Sequence, residues 1–294
     1  MRMGEPGVRM KDILVEKYWK VWDAGFYEEI QRNLESLEKG EIACINFMNI
    51  RELNSELMPV IFVLVYHTYR KTGKQLFFSN VDPKVRDYLE DMRFFQLNYV
   101  RAGNLRDGRG TRDSTGRLIP VYRIYNDQGI RDFCQMSRTI LGLGNVESGL
   151  KESVSMVLQE LMINGQESHV QNSRDVPVYA FGGNEGKCIT FAVVDFGMGF
   201  YQSLLQNNQN QGRIEGDLDA IHKVLTLHLT GKRHLAGGMG YITIENLINR
   251  YHGRLLIASG NAVVVYENSE INLKKDISIQ MAGSIIFIQF EKRA

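Results

Sequence analysis

Glu160 and Asn164 stand four residues apart in LQELMINGQESH, Leu158 to His169, inside an amphipathic run long enough for a helix. Side chains at that spacing share one helix face, so an acid and a neutral amide project side by side. An amide oxygen suits a hard cation beside phosphates because it adds no further negative charge. The carboxylate can take a proton from an attacking nucleophile, or orient it. Such a pair suits a magnesium nucleotide, although by itself it is also what a solvated helix face carries. In VVDFGMGF, Val193 to Phe200, an apolar strand ends in Asp195, followed by Gly197 and Gly199. A carboxylate at the end of a buried strand needs a donor, since leaving it unpaired costs roughly several kcal/mol. The amino group of adenine is such a donor, whereas guanine presents a carbonyl oxygen there. The glycines let the backbone approach a ligand closely and adopt positive φ. In GKRHLAGGMGYITIENL, Gly231 to Leu247, the residues Gly237, Gly238 and Gly240 open a helix. Backbone N–H groups at a helix start hold anions. Lys232 and Arg233 precede that turn, placed either to reach a terminal phosphate or to remain loop charges.

In the order Glu160, Asp195, Gly238, these segments resemble the GHKL (Bergerat-fold) ATPase superfamily of gyrase-type topoisomerases, heat-shock chaperones, sensor histidine kinases and anti-sigma-factor kinases. The resemblance runs from about Leu118 to the C-terminus. It implies Glu160 as the catalytic base, Asn164 as the magnesium ligand, and Asn164, Asp195, Gly197, Gly199, Gly238 and Gly240 as the nucleotide site; Lys232, by its place before the glycine turn, is the expected second catalytic residue, stabilising transferred charge. It also implies that Ser284, the hydroxyl after Gly283 in GSIIFIQF, supports the aspartate that reads adenine. Gly165 stands where the family usually has alanine, and Met239 and Tyr241 replace its commoner leucine and glycine. The function so implied is binding of ATP with Mg²⁺ and either hydrolysis or transfer of the terminal phosphate to a protein, as in anti-sigma-type Ser/Thr kinases. The alternative is a module that senses ATP without chemistry. Residues Tyr201 to Ala236 are expected to form a lid over the nucleotide. No histidine lies between His67 and His169, so the phosphate acceptor of a histidine kinase is missing.

The elements that must position these residues follow from periodicity. Residues 118–294 read as a strand (LIPVYRIY), two helices, a strand pair bracketing GGNEG, helices near Ala220 and Tyr241, and three closing strands, RLLIASG, AVVVYEN and SIIFIQF. That is a two-layer α/β pattern with largely antiparallel strands, and the resemblance implies a Bergerat-type two-layer α/β sandwich with a mixed sheet. Before it, from Glu41, the chain reads strand, helix (Ser55 to Lys71), strand, helix (Pro83 to Phe94), with Asp82 as a cap before Pro83. This order and the ending VDPKVRDYLEDMRFFQL resemble a STAS domain, the fold of anti-sigma-factor antagonists. The domains expected are a STAS-like α/β domain over 1–100 with an N-terminal helical extension, a linker over 101–117, and the ATPase-like domain over 118–294. The linker carries five Arg and four Gly with almost no apolar residue. Its arginines suit a phosphate or an acidic partner, and equally a solvated loop. A STAS-like domain implies docking of a protein partner, and the family resemblance allows a homodimer. Ser55 stands near the phosphorylated position of such antagonists, but with Asn54 in place of an acid before it, it reads as a helix cap.

Composition bounds the alternatives. The chain has 294 residues with 35 basic and 34 acidic side chains, hence a formal charge of +1. A surface that binds nucleic acid by bulk charge needs a clustered excess of Lys and Arg, so nucleic acid is not an expected partner. The most apolar run, LMPVIFVLVY, is half the length a membrane helix needs, about 20 residues. The charged N-terminus lacks the pattern of a signal peptide, and the expected location is the cytoplasm. Cys44, Cys134 and Cys188 are far apart among apolar neighbours and read as reduced core residues. Gly144 to Lys151 misses the triphosphate-loop spacing because Leu150 separates Gly149 from Lys151. His67 sits in an apolar helix and reads as structural.

Overall fold

A computed structural model of the chain describes residues 10–16, 19, 21–101, 117–143, 146–168, 177–231 and 239–292. The chain divides into two compact units, Met1–Thr115 and Gly116–Ala294. Each mixes helices with a sheet.

In the first unit three strands, β1 (Met10–Leu14), β2 (Ile42–Asn46) and β3 (Phe77–Ser79), pair in parallel in that order. The helices are α1 (Ala24–Glu35), α2 (Leu57–Thr72) and α3 (Pro83–Asp91). The apolar run beginning at Leu57 is a core helix: every residue from Leu57 to Tyr66 is buried. Gly73, with φ 70°, ends α2 in a left-handed cap that few other residues adopt without cost. Asp82 accepts the Lys84 N–H at 3.0 Å and Pro83 opens α3. Two expectations need correction. The N-terminal extension is not helical alone, because β1 adds a strand that MKDIL, with two charges in five residues, does not advertise. The cap of α2 is Asn54, whose Oδ1 accepts the N–H groups of Glu56 and Leu57 at 3.1 and 2.9 Å, while Ser55 is only 6% exposed. His67 is held neutral, its pKa pushed down to about 4 by burial first and the Arg70 charge second.

The second unit is built on β4 (Leu118–Ile124), β5 (Val178–Glu185), β6 (Cys188–Asp195), β7 (Arg254–Glu267) and β8 (Glu270–Glu291), in the order β4-β5-β6-β8-β7. Its helices are α4 (Asp127–Leu143), α5 (Ser148–Glu167), α6 (Gly199–Leu205), α7 (Asp217–Leu227) and α8 (Met239–Arg250). One core joins Phe133 of α4, Leu158 of α5, Ile221 of α7 and Ile244 of α8 to Phe191, Ile257 and Ile286 of the sheet. The expected mixed sheet is corrected here, since every pairing in this unit is antiparallel. The turn between β5 and β6 is not GGNEG. Strand β5 runs through Gly182, Gly183 and Asn184, and only Gly186 and Lys187 reverse the chain, with Gly186 at φ 53°. Gly182 is needed within the sheet, because a Cβ there would lie 2.6 Å from the Thr190 carbonyl oxygen.

The three closing strands expected are two. Gly260 and Asn261 look like a turn, yet β7 passes through them with an irregular register, Gly260 taking φ 56° as a bulge. The Asp217 carboxylate fills the space beside Gly260 and accepts the Asn261 N–H at 3.2 Å. Strand β8 begins far earlier than its apolar part, in the polar stretch from Glu270. Cys44 and Cys134 are buried free thiols with raised pKa, burial being the main cause, whereas Cys188 is only half-buried at the hairpin and is not a core residue. No helix among the described residues is long and apolar enough to cross a membrane.

Candidate functional site

Strand β6 is a continuous buried run that ends at Asp195, where the next residues, Phe196 to Met198, leave the sheet. Antiparallel pairing sets Asp195 opposite Ser284 of β8, and Ser284 in turn opposite Ser259 of β7. Asp195 is 5% exposed, and its carboxylate accepts from several sides. Ser284 donates its hydroxyl to Oδ2. The Gly197 N–H donates to Oδ1 at 2.8 Å, and Ser168 Oγ, at the end of α5, lies 3.0 Å from the same oxygen.

Glycines make this arrangement possible. Gly283, at φ 75°, leaves room for no Cβ, which would stand 2.1 Å from the Asp195 carbonyl oxygen. At Gly197 a Cβ would fall 1.9 Å from Ser168 Oγ, so the turn after β6 lies directly on the end of α5. Gly199, at φ 74°, faces Ser259 Oγ, which receives the Phe200 N–H at 3.1 Å and donates to the Gly283 carbonyl at 2.8 Å.

A cavity of about 740 Å³ opens beside Asp195, within the size range of small-molecule sites. Glu160 and Asn164 of α5 and Ser168 at its C-terminal cap, together with Tyr241 of α8, line it from the helix side, and Ser284 from the sheet. The positions 160, 164 and 168 recur one helical turn apart, which explains why α5 turns all three toward one space. Gly240, at the start of α8, lies so close to α5 that a Cβ would come 2.4 Å from Glu160 Cγ. The Tyr241 phenol is pushed well above its ordinary pKa by burial first, then by the Asp195 and Glu160 charges, so it remains protonated at neutral pH. Its ring meets Phe200 edge-on at 5.6 Å.

Of the residues singled out in the sequence, Glu160, Asn164, Asp195, Gly199, Gly240 and Ser284 line this one cavity, and Gly197 holds Asp195 from behind. Lys232, Arg233, Gly237 and Gly238 lie outside the described residues. Among the described residues no group of three or more His, Cys, Asp or Glu could hold a metal ion alone. Asn164 offers a neutral oxygen to the cavity, a donor type that hard cations accept.

Of the expected lid over 201–236, residues 201–231 are described, and Ser203, Leu204, Gln206, Asn208, Leu229 and Thr230 among them line the same cavity. Helix α7 is anchored in the main core by Ile221 and Leu225, and Leu204, Ile214, Ala220 and Val224 form a smaller core of their own. The Asn- and Gln-rich stretch ties this piece together. Asn210, 3% exposed, donates to the carbonyls of Leu204 and Thr230 at 3.0 and 2.9 Å. Ser168 was the residue overlooked in the sequence, and its signal was the helical spacing that it shares with Glu160 and Asn164.

Gly165 has little room for a side chain. A Cβ there would sit 2.9 Å from Val178 Cγ2 and 3.3 Å from Asp195 Cβ. Overpacking against a stiff valine costs about 1–3 kcal/mol, while alanine returns about 1 kcal/mol of helix propensity. Gly165→Ala is therefore expected to destabilise the protein by roughly 1 kcal/mol, lowering the melting midpoint by about 2–4 °C. A midpoint at or above that of the parent, measured by calorimetry, would contradict this packing.

Comparison with family models, curated proteins and solved structures returns no match.

Proposed function

We propose that the second unit binds an adenine nucleotide with Mg²⁺ and acts on its terminal phosphate, by hydrolysis or by transfer to a protein, as the GHKL ATPases it resembles do. The observation that carries this reading is the buried Asp195 carboxylate, held by Ser284 and Gly197 at the wall of a cavity that Glu160 and Asn164 share. A negative acceptor fixed on two sides suits the amino group of adenine and opposes the carbonyl of guanine. With the base at Asp195, the phosphates extend past Gly240, where α8 begins and its first N–H groups favour anions. Asn164 offers its amide oxygen to the cation that neutralises those phosphates. Glu160 accepts the proton of the attacking water or hydroxyl. In this reading Lys232 stabilises the transferred charge, the first unit, resembling a STAS domain, docks the protein partner, and the chain works in the cytoplasm, alone or as a homodimer.

Titration calorimetry of the full chain is expected to detect ATP and ADP but not GTP, with Mg²⁺ strengthening the ATP signal more than the ADP signal. No heat with any adenylate would overturn the reading. Binding without phosphate release, alone and with candidate partners, would restrict it to an ATP sensor.

A further inference from the structure

Resting on the adenine reading above, the geometry points to Ser168 as a residue that sets base specificity, by donating its hydroxyl proton to N1 of a 6-aminopurine. Ser168 Oγ lies 2.7 Å from the Gly165 carbonyl oxygen and 3.0 Å from Asp195 Oδ1. Both neighbours are acceptors, and a serine hydroxyl has one proton to give. Beside it, Oδ1 also receives the fixed N–H of Gly197, while Ser284 serves the other carboxylate oxygen.

Oδ1 and Oγ therefore form an acceptor and a rotatable donor side by side at the cavity wall, both residues lining it. The edge of a 6-aminopurine presents the complement, an N–H donor on the exocyclic amine next to the N1 acceptor. When such a base enters, the amine donates to Oδ1 and the Ser168 proton turns from Oδ1 to N1. The count of hydrogen bonds is conserved: Oδ1 exchanges one donor for another, and the hydroxyl exchanges one acceptor for another. A 6-oxopurine reverses both partners, placing a carbonyl oxygen against Oδ1. The close seating of Gly197 on Ser168 fixes the hydroxyl position, since no side chain fits between them.

The test compares ATP with 1-deaza-ATP, in which carbon replaces N1, by calorimetry on the full chain and on Ser168→Ala. In the parent the carbon analogue is expected to bind about tenfold more weakly, the worth of one hydrogen bond whose partner is left unpaired. In Ser168→Ala, ATP is expected to bind about tenfold more weakly than in the parent, and the two ligands to bind alike. A serine with a merely structural role would weaken both ligands equally and leave the analogue's penalty intact, which overturns the assignment. Equal binding of the two ligands by the parent overturns it as well, and this comparison stands even if the variant fails to fold, as a melting scan would show. If the parent binds neither ligand, the adenine reading itself falls, a result distinct from ATP binding with an unchanged N1 penalty.

Discussion

Asp195→Ala is expected to lower affinity for ATP by between roughly tenfold and a hundredfold, the worth of a hydrogen bond to a charged acceptor. The same change removes the acceptor of the Gly197 N–H and of the Ser284 hydroxyl. An unpaired buried N–H costs about 1–3 kcal/mol; the Gly197 turn is half-buried, so the cost lies in the lower part of that range and the melting midpoint should fall by a few degrees. Asp195→Asn separates these effects. Its amide has one oxygen and one NH₂ group to distribute between two sites. The Gly197 N–H can only donate, so the amide oxygen must take the Oδ1 side. The Ser284 hydroxyl can turn and accept from the NH₂ group. The asparagine variant thus keeps an acceptor where the base would bind, and is expected to lose less than tenfold in affinity with a nearly unchanged midpoint. Calorimetry with ATP on both variants checks the order. If the alanine variant bound ATP as the parent does, Asp195 would not be the base-reading group.

The parts of this site that could be read from the sequence are those fixed by local periodicity. The apolar run from Ile189 to Val194 makes β6 a buried strand and leaves Asp195 at its end. The four-residue interval puts Glu160 and Asn164 on one face of α5. Pairings distant in sequence are of another kind. That Ser284 meets Asp195 depends on the register of β8 against β6, which no local pattern specifies and only the family resemblance suggested. Ser168 was missed for a related reason: its role appears only once Gly197, from another strand's end, lies against it. Polar sequence misled in the other direction. The first half of β8 looks like loop because its side chains are hydrophilic, yet it is paired along β7. In the first unit, β1 is invisible for the same reason, since its stability comes from parallel pairing with β2 rather than from its own composition.

The second large effect concerns Glu160. Removing a positioned general base typically costs 10²–10⁴-fold in rate, and Glu160→Gln removes the proposed base while keeping the shape. Shape matters at this position because α8 presses on the glutamate stem: Gly240 has no space for even a Cβ beside Glu160 Cγ. Glu160→Ala would open a gap at that contact and let the start of α8 shift, confounding binding with catalysis. Glutamine retains the stem and replaces one oxygen by an NH₂ group that cannot take a proton. ATP affinity is then expected to stay within about threefold of the parent, or to rise slightly as a negative charge near the phosphates is removed. Phosphate release or transfer should fall by at least about a hundredfold. Measuring binding by calorimetry and turnover by phosphate release on the same preparation separates the two quantities. Equal losses in both would make Glu160 a binding residue rather than a base, and unchanged turnover would place the proton acceptor elsewhere in the cavity.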